Sequence, residues 1–249
     1  MNGVALVTAA GRRIGRALAL EAARAGFDVA VHQRHADSDG EETVAAIRNL
    51  GRQAVLLSGD LTAPDAGTLV ARAEALGPVT LLVNNASLFL DDRLETATAA
   101  DLDAHMATNV RAPVMLAQAF VAALQADRAG LVVNIIDQRV WRPTPQYFGY
   151  SLSKAALWHA TRTMAQALAP RIRVNAIGPG PTFGSVHQAP GSFEAEAAGT
   201  PLGRRVTGED IAAALRYLID ARAVTGQMIA VDSGQHLAWR TPDIVDFQS

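Results

Sequence analysis

Residues 3–15 read GVALVTAAGRRIG, an apolar run that breaks into a turn carrying Gly11 and Gly15. Val4 to Val7 show no polar–apolar alternation, the mark of a strand covered on both faces. The pattern recurs along the chain. Short runs rich in Val, Ile and Leu stand at 3–8, 27–32, 53–58, 79–84, 130–136, 171–177 and 226–231. Ala-rich amphipathic segments of helical length fall between them, at 13–25, 39–50, 64–76, 98–126, 149–169 and 207–220. This alternation predicts an α/β chain with a doubly wound parallel sheet, right-handed crossovers and helices on both faces. No linker, repeat or low-complexity tract divides it, so a single domain over 1–249 is expected. Residues 178–206, with six glycines and four prolines, read as a mobile loop over a site, and the tail after Gly234 is irregular.

The 249 residues suffice for a sizeable core, at 49% hydrophobic and 18% charged. A net charge of −2 offers no electrostatic footprint for nucleic acid or an anionic membrane. The chain has no cysteine, which excludes disulfides and thiolate metal sites, and no metal is expected. Asp37-Ser38-Asp39-Gly40 starts like a calcium loop but lacks the later ligands, and reads as a cap for the next helix. No apolar run reaches the roughly 18 residues of a membrane span, and the N-terminus shows no basic leader. A soluble cytoplasmic protein is expected.

The turn Thr8-Ala9-Ala10-Gly11-Arg12-Arg13-Ile14-Gly15 hands a strand to a helix, where free backbone N–H groups and the helix dipole favour a phosphate. Gly11 and Gly15 allow close backbone approach. Ala9 and Arg13 stand where further glycines are usual; Ala9 fits if its φ is negative. The second strand ends in His32-Gln33-Arg34-His35 without the acid that would meet a ribose 2′-hydroxyl. Arg12 and Arg34 suit a 2′-phosphate instead, which favours NADPH over NADH; the alternative is arginines on a solvated surface. Asp60 and Leu61 follow the third strand, where a carboxylate can face an adenine amino group. Asn84-Asn85-Ala86-Ser87 closes the fourth, at the sheet edge where ligands bind.

Tyr150 and Lys154 lie i, i+4 on a predicted helix, hence on one face. An ammonium beside a phenol favours the phenolate and lowers the tyrosine pKa. The 22 lysines and arginines comprise 21 arginines and this one lysine. An arginine cannot imitate its compact, flexible charge. Asn109 and Pro113 sit inside the long 98–126 helix, and predict a kink that frees a carbonyl for water near Lys154. A surface Tyr–Lys pair and a plain helix irregularity are the competing readings.

Taken together, the 8–15 turn, Asp60, Asn84-Asn85-Ala86, Asn109, Tyr150-x-x-x-Lys154 and Pro179-Gly180 resemble, in order and spacing, the short-chain dehydrogenase/reductase family over almost the whole chain. The resemblance implies a seven-stranded Rossmann-type sheet, a nicotinamide cofactor and a homotetramer. It makes Tyr150 the proton donor, with Lys154 lowering its pKa and holding the nicotinamide ribose. Asn109 would support a relay water, and Thr182 would touch the nicotinamide carboxamide.

One departure from that family is informative. Thirteen residues before the tyrosine the family has a serine, and this chain has Asp137. An ionised carboxylate there would repel the developing alkoxide of a ketone reduction. A protonated or proton-sharing Asp137 beside Tyr150 suits a substrate nitrogen that must gain a proton. Asp137, Arg13, and Ser87 with Phe89 resemble the pteridine reductase and dihydromonapterin reductase branch. This implies NADPH-dependent reduction of a C=N bond in a dihydropterin or dihydrofolate. Phe89 would stack the pterin, and Arg13 and Ser87 would reach both cofactor and pterin. His187 is a possible substrate contact, and Trp239 and Arg240 belong to a tail that can reach a neighbouring subunit. The alternatives are a general carbonyl or 3-oxoacyl reductase, and an NADP-binding sensor or scaffold without turnover.

Overall fold

Every apolar run named above becomes a strand. In a computed structural model, which describes residues 3–184 and 191–239, seven strands form one parallel sheet. They are β1 (Val4–Val7), β2 (Asp28–Gln33), β3 (Ala54–Ser58), β4 (Val79–Asn84), β5 (Gly130–Ile135), β6 (Ile172–Pro179) and β7 (Met228–Val231). Their order is β3-β2-β1-β4-β5-β6-β7, with Val7 opposite both Val31 and Val83 and Asn84 opposite Asn134. Direction of winding reverses between β1 and β4, which opens a crevice at their carboxyl ends.

The helices are α1 (Arg13–Arg24), α2 (Ser38–Asn49), α3 (Thr68–Ala73), α4 (Ala99–Met106), α5 (Ala112–Ala123), α6 (Phe148–Leu168), α7 (Ser192–Ala198) and α8 (Gly208–Asp220). Alternate β1 side chains sort them into two layers. Ala5 and Val7 pack with Leu18, Val44, Ile211 and Leu215 of α1, α2 and α8, while Val4 and Leu6 pack with Leu69, Leu116, Phe120 and Ala165 of α3, α5 and α6. This period-2 sorting of a fully buried strand is why the run shows no polar alternation. No described helix is long and apolar enough to cross a membrane.

Two expectations need correction. The 98–126 segment is not one regular helix, because a π-turn at Ala107–Arg111 separates α4 from α5. The irregularity expected around Asn109 and Pro113 is thus this π-turn, and Pro113 follows it in the first turn of α5, where a missing N–H is tolerated. Residues 178–206 are not all loop, since β6 runs to Pro179 and α7 occupies 192–198. His187 and Arg240 lie outside the described residues. Asp37 does cap α2, its carboxylate accepting from the Gly40 N–H at 3.1 Å.

Gly15 lets α1 lie against the end of β1, for a β-carbon there would collide with the Ala9 carbonyl oxygen and come within 2.6 Å of Asn85 Nδ2. The Ala9 oxygen is backbone and cannot swing aside. Gly15→Ala is therefore expected to lower the free energy of unfolding by about 1–3 kcal/mol, read as a fall in denaturation midpoint without loss of helical signal.

Candidate active site

The crevice is held by short polar side chains at the strand ends. The Thr8 hydroxyl accepts from the N–H groups of Asn85 and Ala86, both at 2.9 Å, and Asn85 Nδ2 donates to the carbonyls of Thr8 (2.9 Å) and Ala9 (3.1 Å). These bonds tie β1 to the end of β4. Beneath them a buried ladder runs from Asn84 Nδ2 to Asn134 Oδ1 and from Asn134 Nδ2 to Thr161 Oγ1, each 2.9 Å. These bonds join β4, β5 and α6, while Asn84 Oδ1 itself finds no partner among the described residues.

Two clefts open above the sheet and meet at Ser87. The larger, about 1280 Å³, takes in Ala9, His32, Arg34, Asp60, Leu61 and Ala86. The smaller, about 220 Å³, is walled by Arg13, Ile14, Asn85, Phe89, Asp137, Tyr150, Lys154, Pro179, Gly180 and Thr182. The structure thus brings most of the residues picked out from the sequence to one edge of the sheet, with Arg12 and Trp239 outside both clefts. Thr8, Gly11 and Gly15 shape the turn from beneath.

Several of these side chains have partners the sequence did not suggest. Ala9 and Arg13 adopt φ of 51° and 52°, so the negative φ expected of Ala9 is not found. Each left-handed residue with a β-carbon carries a penalty of roughly 1–2 kcal/mol. His32 is buried and uses both ring nitrogens, with Nδ1 3.3 Å from the Ala9 N–H and Nε2 2.9 Å from the Gly59 carbonyl. Burial lowers its pKa, so it stays neutral and holds three strand ends together. Arg34 donates to Asp60 at 2.8 Å, with 71% of its side chain exposed. The Thr62 N–H and hydroxyl also serve Asp60, and with Arg34 they depress its pKa. Arg12 is exposed. Arg13 reaches across to the carbonyls of Phe183 (3.2 Å) and Gly184 (3.3 Å), its guanidinium 5.2 Å from the Phe183 ring centre. Thr182 bonds back to the Gly180 carbonyl at 3.0 Å.

At the floor of the smaller cleft Tyr150 donates its phenolic hydrogen to Asp137 Oδ2 at 2.9 Å, and the Arg139 N–H donates to Oδ1 at 2.9 Å. Burial pushes the Asp137 carboxyl above its ordinary range, against the pull of the Arg139 N–H and charge, Tyr150 and Lys154. The Tyr150 phenol is pushed well up, first by burial and then by the adjacent carboxylate. This reverses the expectation that Lys154 lowers it. The ammonium is directed instead to the Ile135 carbonyl at 2.8 Å, and stands 5.6 Å from the tyrosine ring centre. Burial also draws the Lys154 pKa down to about 8. Asp137 and Tyr150 are thus both shifted toward their protonated forms, while Lys154 is drawn toward neutral pH.

Asn109, fully buried in the π-turn, accepts from the Leu88 N–H (2.7 Å) and donates to the Leu88 carbonyl (3.0 Å) and Ser153 Oγ (2.9 Å). Its side chain clamps the segment that carries Phe89 to α6. The Phe89 ring lies 4.4 Å from that of Tyr147, tilted by 34°, and edge-on to Tyr150 at 4.7 Å. Sequence reasoning missed the rest of the wall, formed by Arg139, Tyr147, Phe183, Phe193, Glu196 and Gln235. Gln235 donates to Glu196 at 2.8 Å, linking α7 to the turn after β7. Those residues lie in stretches without periodicity, where only the folded chain brings them together. Trp239 is exposed and does not line the cleft.

Known proteins are similar to this chain over most of its length. The family model described as Enoyl-(Acyl carrier protein) reductase matches residues 8–236. The chain is 49% identical to FolM Alternative dihydrofolate reductase 1 from Brucella canis, solved complexed with NADP, with 97% of each chain covered and a TM-score of 0.93. A short chain dehydrogenase from Burkholderia cenocepacia, solved in complex with NADP, is 32% identical over 93% of this chain and 96% of its own, with a TM-score of 0.86. The 3-oxoacyl-[acyl-carrier-protein] reductase FabG of Aggregatibacter actinomycetemcomitans is 32% identical over 94% of this chain and 99% of its own. A tyrosine and lysine one turn apart, at the carboxyl edge of a β3-β2-β1-β4-β5-β6-β7 sheet, place the chain in the short-chain dehydrogenase/reductase family of oxidoreductases.

Proposed function

We propose that this chain reduces a C=N bond of a dihydropterin or dihydrofolate to the tetrahydro form, using NADPH. The observation that carries the reading is the Asp137–Tyr150 hydrogen bond, 2.9 Å long and partly buried in the smaller cleft. The NADP complexes of the Brucella canis and Burkholderia cenocepacia relatives and the description of the former as an alternative dihydrofolate reductase support it.

The crevice fits a dinucleotide. Asp37, Thr98 and Thr207 cap α2, α4 and α8, whereas α1 has no side-chain cap and no acid in its first turn. Its free N–H groups suit a pyrophosphate beside Gly11, Arg12, Arg13, Ile14 and Gly15. Arg12 and Arg34 would take a 2′-phosphate; the exposed Arg34–Asp60 pair is worth about 0–1 kcal/mol, so a phosphate competes for it readily. Asp60, Leu61 and Ala86 would line the adenosine, Lys154 would hold the nicotinamide ribose, and Pro179, Gly180 and Thr182 the nicotinamide end. When bound, the reduced cofactor supplies the hydride.

The residues then manage one proton. As hydride adds to the carbon of C=N, the nitrogen takes H⁺, forming N–H. Asp137, kept protonatable by burial, gives up that proton directly or through Tyr150. It is left as the carboxylate to which the Tyr150 hydroxyl donates. A serine at this position could not supply a proton in this pH range. Phe89 offers a flat ring to the substrate, with Ser87 and Arg13 at its polar edge.

NADPH oxidation should be seen with 7,8-dihydropterins or dihydrofolate; turnover of ketones alone would overturn the reading. Asp137→Ser is expected to shift preference toward carbonyls, and an unchanged substrate profile would count against the role given to Asp137. Arg34→Asp should weaken NADPH relative to NADH by roughly tenfold, about 1.4 kcal/mol, in paired fluorescence titrations.

Asp137→Asn bears on the proton. In the wild type, turnover should fall as pH rises through the raised Asp137 pKa, and the variant should lose that limb. Between the ordinary aspartate value of about 3.9 and the raised folded value, the native state binds more protons than the unfolded chain. Stability therefore falls as pH rises through this window. Asp137→Asn should melt higher than the wild type at pH 7, and the gap should close at pH values below both pKa values.

A further inference from the structure

The helix that carries Tyr150 and Lys154 does not cap itself. Its N-cap, Tyr147, has a left-handed backbone (φ 56°, ψ 53°) and no side-chain cap, unlike the extended caps Asp37, Thr98 and Thr207. The missing acceptors come from Asp92, in the loop between β4 and α4. The Asp92 carbonyl accepts from the N–H groups of Tyr147 (2.9 Å) and Phe148 (3.3 Å), and both its carboxylate oxygens accept from the Gly149 N–H, at 3.2 and 3.0 Å. Asp92 is 4% exposed. Three consecutive N–H groups at the start of a 21-residue helix thus converge on one buried acid, whose charge also suits the positive end of the helix.

Two neighbours make this junction tight. His105 of α4, fully buried, accepts from the Leu90 N–H at Nε2 (3.4 Å), which leaves its proton on Nδ1. A β-carbon on Gly149 would stand 2.7 Å from Asp92 Oδ2 and 2.9 Å from His105 Nδ1, so only glycine fits between them. Three residues before Asp92, Phe89 packs on Tyr147 at 4.4 Å and on Tyr150 at 4.7 Å. One short loop therefore carries the ring that faces the substrate and the acid that anchors the tyrosine.

We propose that Asp92 is a positioning residue. By gripping the first turn of α6 it sets Tyr150 against Asp137 on one side and Phe89 on the other. Asp92 does not line the smaller cleft and touches none of the proton-bearing atoms. The turnover part of this inference rests on the assignment of Tyr150 to proton transfer; the anchoring part does not.

The test uses the full chain with three variants. Asp92→Ala is expected to lower kcat at least tenfold while KM for NADPH stays within threefold. Asp92→Asn, which keeps a carbonyl oxygen for the Gly149 N–H, should recover most of kcat. Gly149→Ala, which drives a methyl group between Asp92 and His105, should reproduce the Asp92→Ala loss without altering a proton-bearing group. Hydrogen exchange across residues 147–152 should quicken at least tenfold in Asp92→Ala and Gly149→Ala, with segments in β1 and α1 unchanged. Exchange is read without substrate, so it reports on the anchor even if no pterin is turned over. Wild-type exchange at 147–152 in Asp92→Ala, or wild-type kcat in both Asp92→Ala and Gly149→Ala, would overturn the proposal. Equal loss in Asp92→Asn and Asp92→Ala, or exchange quickened through the whole chain, would also overturn it, by reducing Asp92 to a general requirement for folding.

Discussion

A carboxyl group and a phenol share one hydrogen bond of 2.9 Å where little water reaches. Neither gains by ionising there. Desolvation raises both pKa values, and each negative charge would oppose the other. In water such a pair would be unremarkable. In the proposed reaction it serves as a reservoir that releases a proton toward the substrate nitrogen. The placement of Lys154 follows from the same economy of charge, because its ammonium is satisfied by the Ile135 carbonyl. Its charge favours the ionised form of Asp137 and is the smallest of the influences on that carboxyl, outweighed by burial, and it forms no direct ion pair with it.

Holding two side chains to such tolerance requires the elements beneath them to agree. β5 delivers Asp137 just past its carboxyl end, and α6 delivers Tyr150 in its first turn. Their relative position is set by the Asn84–Asn134–Thr161 ladder, by Asn109 bridging Leu88 and Ser153, and by Asp92 on the first turn of α6. All but the part-buried Leu88–Asn109 bond are buried, so they are costly to leave half-made. The π-turn belongs to this scheme. Its irregular backbone puts Asn109 where a regular helix would carry the side chain past.

The sheet and most helices were legible because fully buried strands and amphipathic helices leave different periods in the residue order. The carboxyl-edge residues were legible for a related reason, as small polar groups directly after apolar runs. What escaped was whatever depends on contacts across the fold. Arg34 and Asp60 were assigned separate duties, and their mutual bond depends on adjacent strands β2 and β3. The direction of the Tyr150 shift was misjudged because a one-turn spacing to Lys154 says nothing of where the lysine stem leads. Tyr147, Glu196 and Asp92 carry no periodic signal at all. Ala9 is a different case: the residue is readable, but its positive φ is imposed by the turn, which takes a glycine conformation without a glycine.

The chain's single lysine is only 2% exposed, its amine turned inward onto a strand carbonyl. An endoprotease that cuts solely after lysine thus has one internal target, shut inside the longest described helix as long as α6 stays folded. Such a cleavage would divide the polypeptide into two fragments in one event, at a rate governed by how often that helix opens. A molecule made this way carries its own reporter of opening one turn from Tyr150, without any label being attached.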